Sequence, residues 1–491
     1  MSHPKSLQGL VFDNSYARLP AHWFQRASVR PLRHVHLISF NPPVARLLGM
    51  DPCKVRPGEL AQACNGELSW PGAEPLAMKY TGHQFGSYNP DLGDGRGLLL
   101  GEVRGPDSVL RDLHLKGAGR TAFSRFGDGR AVLRSSIREY LASEAMAGLG
   151  IPTTRALCLI GSEEYTQRNG MEPCAMLLRV TPCHIRFGHF EYFCYSGQHE
   201  DLRRLAEYCL DRYYPWLQSA EQPVAEMFAE IVSRSAELVA LWQAYGFVHG
   251  VLNTDNMSII GETLDYGPFT FLDRYEPEHV ANKNDHEGRY AFERQPAIVH
   301  WNLYALAQAL LPLVERARLE AELERFEQLY ASAWQKRMNA RLGLQSVLPE
   351  DRALLADLEA LWIERRVDHN RFLRQLSDWQ PGDVQATEEL QRLTGQVPAL
   401  ADWLQRYAQR LTQEAASLPI RQAQMRSVNP RYILRNYMAE EVIREAHQGD
   451  YRPLNALMPL LRHPGDEHPE MRAYAGEPPD WAGAICLTCS S

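Results

Sequence analysis

The stretch His249-Gly250-Val251-Leu252-Asn253-Thr254-Asp255-Asn256, followed nine positions after its last residue by Asp265-Tyr266-Gly267, decides how this chain reads. Asn and Asp side-chain oxygens are hard donors of the kind that hold Mg2+, and Asn256 and Asp265 are the two metal candidates here. Taken alone, Asn253-Thr254-Asp255-Asn256 also has the composition of a tight turn, because Asn and Asp bond readily to nearby backbone. What separates the two readings lies upstream. Leu98 to Arg104 and Leu110 to Leu115 are strand-length runs joined by the turn-forming Gly105-Pro106-Asp107, which predicts a hairpin. Period-two alternation in its second strand puts His114 and Lys116 on one face and Leu113 and Leu115 on the other. Ala131 to Leu149 then has helical spacing, with Leu133, Ile137, Leu141 and Ala145 on one stripe and Glu139 on another with Val132 and Met146. A Lys and a Glu so placed can pair, although each by itself is as readily a solvated surface charge.

The order Lys116, Glu139, loop, Asp265 resembles that of a protein-kinase site. The loop keeps the His, Leu and Asn spacing of H-R-D-L-x-x-x-N, and Asp265-Tyr266-Gly267 resembles D-F-G. The reading predicts ATP as ligand and Mg2+ (or Mn2+) as cofactor, with Lys116 on phosphate, Glu139 positioning the lysine, and Asn256 and Asp265 on the metal. Two departures stand out. The catalytic-aspartate position is Val251, which neither accepts a proton nor orients a hydroxyl, so Asp255 becomes the nearest carboxylate. No G-x-G-x-x-G precedes the lysine either; Asp91-Leu92-Gly93-Asp94-Gly95-Arg96-Gly97 stands there. Gly93 and Gly95 let backbone N–H groups approach phosphate and Arg96 adds charge; an Asp-Gly pair also marks an ordinary hairpin turn. Arg179 and Arg186 flank the junction between a strand-rich and a helical half, as guanidinium forks for terminal phosphate or as structural ion pairs, and both readings stand.

The expected fold class is therefore α+β, a protein-kinase-like two-lobed fold with terminal extensions. Residues 1–75 read as an irregular N-terminal extension, 76–182 as a mixed α/β N-lobe, 183–462 as a helical C-lobe, and 463–491 as a flexible tail ending in Cys-x-x-Cys. Within the C-lobe, Val224 to Tyr245 and Trp301 to Ala340 read as long amphipathic helices. At 491 residues, with 45% hydrophobic and 23% charged residues, the chain can build a large core. A net charge of -8 argues against a nucleic-acid partner, whose footprint is a basic stripe. No apolar leader and no run near membrane-span length is present, so a cytoplasmic protein without a membrane partner is expected. Cys486 and Cys489 form a candidate redox pair. Cys489 with an upstream thiol and two free thiols are the alternatives, and zinc is disfavoured because a single pair leaves a four-ligand site half built.

Together with these motifs, Tyr80-Thr81-Gly82-His83-Gln84-Phe85-Gly86, the twice-occurring Gly-Asp-Gly-Arg (93–96 and 127–130), Asn429-Pro430-Arg431-Tyr432, Arg435-Asn436-Tyr437 and the terminal Cys489-Ser490-Ser491 resemble the selenoprotein O (SelO or YdiU) family, from about residue 78 to the C-terminus. The resemblance implies a pseudokinase that binds ATP in reversed orientation and transfers AMP, not phosphate, to hydroxyls of protein substrates. It implies nucleotide contacts from Gly93, Gly95, Arg96, Lys116, Asp128, Gly129, Arg179, Arg186 and Asp265, metal ligation by Asn256 and Asp265, and Asp255 as the base. It also implies, for members under redox control, a bond from the C-terminal cysteine to one in the segment after Asp-Tyr-Gly; no cysteine lies between Cys209 and Cys486 here. The rival functions are ordinary γ-phosphoryl transfer, against which Val251 argues, a catalytically silent ATP-binding scaffold, against which the Asn256 and Asp265 pair argues, and a thiol-redox protein.

Overall fold

The computed structural model describes residues 6–168 and 170–488. Long-range strand pairing organises the first 182 residues. The strands are β1 (Phe24–Arg26), β2 (His36–Phe40), β3 (Leu76–Met78), the small hairpin β4 (Gly82–Gln84) and β5 (Ser87–Asn89), β6 (Gly97–Arg104), β7 (Leu110–Lys116), β8 (Ala131–Val132), β9 (Arg155–Gln167) and β10 (Met171–Thr181). Helices α1 (Pro42–Leu47) and α2 (Pro57–Cys64) precede β3, and α3 (Leu133–Gly148) follows β8. All but β4 and β5 join one sheet of order β1-β3-β6-β7-β10-β9-β2, with β8 also on β10. Each pairing in it is antiparallel. Both outermost strands, β1 and β2, come from the stretch read as an irregular extension; that stretch is part of the sheet.

The predicted hairpin is β6–β7, and its alternation sets the two faces. Leu113 and Leu115 bury with Leu178 and Val180 on the face covered by α1 and α2. Leu177 of β10 buries on the opposite face with Ile137, Tyr140 and Leu141 of α3. Two apolar layers therefore enclose the sheet, and any charge on its α3 side is removed from water.

The second half is helical: α4 (Phe187–Tyr195), α5 (His199–Tyr213) and α6 (Pro223–Tyr245), then the two-stranded β11 (Phe247–Val248) and β12 (Thr270–Phe271), then α7 (Gln295–Leu310), α8 (Arg316–Glu324) and α9 (Phe326–Arg341). Seven further helices follow, α10 (Asp351–Arg365), α11 (His369–Leu376), α12 (Val384–Thr394), α13 (Pro398–Leu411), α14 (Leu418–Val428), α15 (Asn436–His447) and α16 (Arg452–Arg462). The expected helix Val224 to Tyr245 is α6. The expected Trp301 to Ala340 helix is three helices, broken around Pro312, which has no N–H to continue the ladder, and again at Arg325. Beyond α16, the Pro- and acid-rich segment carries two aromatic anchors. The rings of Tyr474 and Trp481 each lie 6.2 Å from that of Tyr437 on α15, and Arg444 sits 4.5 Å over Trp481. Cys486 is exposed with a free thiol, and Cys489 lies outside the described residues. No helix among the described residues is long and apolar enough to cross a membrane.

Candidate nucleotide and metal site

A short ladder brings the two motifs of the loop region together. Helix α6 ends on Gly246 at φ +71°, a left-handed cap that glycine adopts without strain. β11 then pairs with β12 through Phe247↔Phe271 and Val248↔Thr270, so the loop after β11 and Asp265-Tyr266-Gly267 before β12 lie side by side. His249 Nε2 donates to the Leu264 carbonyl at 3.0 Å and ties them further. Asn256 donates its amide nitrogen to the Val251 carbonyl at 3.0 Å, which leaves its oxygen available as a ligand. Asp265 has φ +58°, a left-handed conformation unusual outside glycine and concentrated at functional sites.

Facing these loops is a buried charge cluster built by the sheet. In the β7–β10 register Lys116 stands opposite Leu177 and His114 opposite Arg179, so Lys116 and Arg179 share the face that α3 covers. Glu139 of α3 receives both: Lys116 pairs with its Oε2, and Arg179 donates to Oε1 at 2.5 Å and to Oε2 at 3.1 Å. Arg179 Nη2 also lies 2.6 Å from Asp265 Oδ1. Arg186, the residue before α4, pairs with Asp265 Oδ2, donates to the Asp255 carbonyl at 2.7 Å, and lies 4.9 Å over the Tyr80 ring. Lys116, Arg179 and Arg186 are only 5, 4 and 3% exposed. Burial opposes ionisation of Glu139 and Asp265, yet Arg179 and Lys116 hold the first below the usual carboxylate range, and Arg179, Arg186 and Lys116 hold the second well below it. Burial takes the Lys116 ammonium down to about 8 despite Glu139.

The cluster forms part of the wall of a cavity of about 540 Å³, whose wall also includes Gly93, Gly95, Arg96, Asp128, Gly129 and Arg130. The first Gly-Asp-Gly-Arg loop is pinned by Asp94, whose carboxylate accepts from the Met78 N–H at 3.0 Å and whose carbonyl accepts from Thr121 Oγ1 at 2.7 Å. Arg96 in it is exposed. In the second loop, Asp128 is committed to protein partners: Arg168 donates to both its oxygens at 2.8 and 2.9 Å, the Arg130 N–H donates at 2.9 Å, and Thr166 Oγ1 donates as well. These bonds outweigh burial and hold the Asp128 carboxyl well below its ordinary range. Arg168 is a cavity residue that sequence reading missed; it follows β9, and nothing local marks it. Arg130 was visible only as the last member of the second Gly-Asp-Gly-Arg.

Asp255 lines the same cavity. Gln84 Nε2 donates to its Oδ2 at 3.2 Å, while Oδ1 is buried with no hydrogen-bond partner among the described residues. Burial and the neighbouring Asp265, opposed by Arg186 and Gln84, push this carboxyl up to about 7. Among the described residues no group of three or more His, Cys, Asp or Glu could hold a metal by itself. The hard donors Asn256 and Asp265 suit Mg2+ only as a partial shell that phosphate oxygens complete, which is how such an ion commonly binds beside a nucleotide.

The family model for protein adenylyltransferase SelO matches residues 6–462. The chain belongs to this family. A protein nucleotidyltransferase YdiU of Hahella chejuensis is 57% identical over 492 residues, covering 100% of both chains. Proteins of the same name from Chromohalobacter salexigens and Azotobacter vinelandii are 48% and 47% identical, covering 99% of this chain and 98% and 100% of their own. SelO membership makes this chain an enzyme of the adenylyltransferase class, and it spans 98–100% of the length of these relatives.

Proposed function

We propose that the enzyme transfers AMP from ATP to Ser, Thr or Tyr hydroxyls of proteins, with the nucleotide bound triphosphate-first between a kinase-like N-lobe and a helical C-lobe; UMP from UTP is the second transfer the same site would perform. The observation that carries this reading is the depth of the cations. Lys116, Arg179 and Arg186 are nearly inaccessible and, among the described residues, share only two carboxylates, Glu139 and Asp265, so the ligand end that reaches them is anionic, and an adenine seated there would leave the excess positive charge without a counterpart. Arg186 Nε is moreover buried without a hydrogen-bond partner among the described residues, a donor in reserve for a phosphate oxygen.

In that pose the α-phosphorus lies beside Asp255. An acceptor O–H gives its proton to Asp255 Oδ1 as its oxygen attacks the α-phosphorus in line. The bond from the α-phosphorus to the oxygen bridging the β-phosphorus breaks, AMP is left joined to the acceptor oxygen, and pyrophosphate departs, its charge held by Lys116, Arg179 and Arg186. Asn256 and Asp265 would hold Mg2+ or Mn2+, which when bound neutralises charge on phosphate oxygens. Gly93, Gly95 and Gly129 would bring backbone close to the nucleotide, Arg96 would add charge at the rim, and Asp128 would act through the Arg168 that it fixes. A carboxyl near neutrality suits a base at Asp255, and Val251 leaves no other at the usual position of the loop.

Incubation with ATP labelled at the α or the γ position tests the proposal. Label from the α position on protein is expected; retention from the γ position alone would replace nucleotidyl by phosphoryl transfer. Asp255→Ala should keep ATP binding and lose transfer, and unchanged turnover removes Asp255 from the role of base.

A further inference from the structure

The segment Tyr80-Thr81-Gly82-His83-Gln84-Phe85-Gly86 is given no step in the chemistry above, yet it grips both the start of α4 and the loop that carries Asp255. The Thr81 N–H donates to the Gly188 carbonyl at 3.1 Å, the His83 N–H to Thr254 Oγ1 at 2.7 Å, and the Phe85 N–H to Asn253 Oδ1 at 3.2 Å and the Tyr290 hydroxyl at 2.9 Å. Tyr290 in turn donates to Asn253 Oδ1 at 2.6 Å. The approach is close enough to need glycine on both sides. A Cβ at Gly82 would stand 3.0 Å from the Asp255 Cβ and backbone nitrogen, and one at Gly188 would stand 2.0 Å from the Thr81 carbonyl oxygen.

Within this clamp a relay of hydrogen bonds fixes which way each amide points. The Asp91 backbone N–H can only donate, and it donates to Asn89 Oδ1 at 3.0 Å. Asn89 must therefore present Nδ2 on its other side, where it donates to Gln84 Oε1 at 3.1 Å. Gln84 is then left with Nε2 to offer, and it donates to Asp255 Oδ2 at 3.2 Å. The orientation follows from donor and acceptor inventory alone, since every link has only one workable sense. Its starting point, Asp91, opens the first glycine-rich loop, so the relay ties the nucleotide loop to the carboxylate.

We propose that Gln84, oriented by Asn89, is a positioning residue that holds the Asp255 carboxylate in one rotamer, occupying Oδ2 so that Oδ1 is the oxygen presented to the acceptor hydroxyl. This deepens the function proposed above and rests on it. Oδ1 is the oxygen of Asp255 left buried and unbonded among the described residues, as a proton acceptor awaiting its substrate should be. Rotation about the Cβ–Cγ bond would otherwise interchange the two oxygens.

Gln84→Met keeps length and volume but offers no N–H; Asn89→Asp touches nothing at Asp255 but cannot donate to Gln84, so it turns the amide round and sets Oε1 against the carboxylate. Both variants should lower kcat for AMP transfer roughly 10–100-fold, the usual cost of losing a group that orients a reacting one, with the KM for ATP and the melting temperature unchanged. Gln84→Met at wild-type kcat overturns the proposal, as does an Asn89→Asp variant at wild-type kcat or a loss that appears in KM instead. Should Gln84→Met fold poorly, Asn89→Asp carries the decision, because it leaves the Gln84 side chain in place. Failure of the underlying function reads differently: the wild type itself then puts no α-label on protein.

Discussion

Two carboxylates of this enzyme each take an arginine through two hydrogen bonds and sit in opposite surroundings. Glu139 holds Arg179 with side chains 2 and 4% exposed, while Asp128 holds Arg168 with side chains 37 and 21% exposed. The first pair lies between sheet and helix, where removing one partner leaves the other charged and dry; the second is at the cavity rim, where water replaces what is lost. Burial, not bond count, sets what each pair contributes. The largest effect follows at Glu139, which faces two cations. Glu139→Ala should lower the unfolding free energy by about 3–5 kcal/mol, the cost of stranding a buried charge, measured by urea denaturation. A loss near that of a surface pair would mean that water reaches the cluster.

Lys116→Met sharpens the contrast, because Glu139 keeps Arg179 as its counter-ion. Its stability loss should be smaller than that of Glu139→Ala, whereas affinity for ATP should fall roughly 10–100-fold, the worth of one charged hydrogen bond, by titration calorimetry. Unaltered affinity would show that the triphosphate does not reach the deep end, and with it would go the reversed pose.

A third carboxylate, Asp112 on β7, tests the same contrast through pH. It is buried, and burial pushes it up to about 7, against the pull of Arg212 and of the His184 N–H that donates to it at 2.9 Å. A folded-state pKa raised above the unfolded value near 4 means that the native protein holds a proton the unfolded chain has released. Stability from this group is thus full below about pH 4 and is lost as pH rises toward about 7. Unfolding free energies of wild type and Asp112→Asn should diverge across that window, with the wild type falling relative to the variant, and run parallel above it. Parallel curves throughout would place Asp112 in contact with water.

Much of this arrangement was legible where the pattern is local. Alternation in Leu113-His114-Leu115-Lys116 gave the face of the lysine, helical spacing gave α3 and α6, and the spacing of Asn256 and Asp265 marked the loops that β11 and β12 join. The edge strands β1 and β2 were not legible, because their partners are far along the chain: Phe24 pairs with Met78 and His36 with Gly161, and neither short strand carries a period of its own. The same holds for Arg168, whose partner Asp128 is forty positions away. Glu139 was read from one helical stripe, but α3 is buried on nearly every side, so its stripe did not distinguish it. Phosphate and ion-pair readings of Arg179 and Arg186 were both open from sequence, and here both residues pair with Asp265; a phosphate ligand would compete for guanidinium groups already in place.

The rim pair should give the smallest effect. Asp128→Ala frees an Arg168 that is already partly in water, so the stability loss should be about 0.2–1 kcal/mol, as for other accessible ion pairs, and Arg168→Ala should cost a similar amount. The double variant decides how to read these numbers, because a cycle isolates the coupling between the two side chains from whatever each does alone. A coupling below about 1 kcal/mol fits a solvated pair that holds the second glycine-rich loop in place without carrying the fold. A coupling comparable with the cost of Glu139→Ala would mean that the rim is as dry as the floor, and the difference in exposure between Asp128 and Glu139 would then no longer account for their roles.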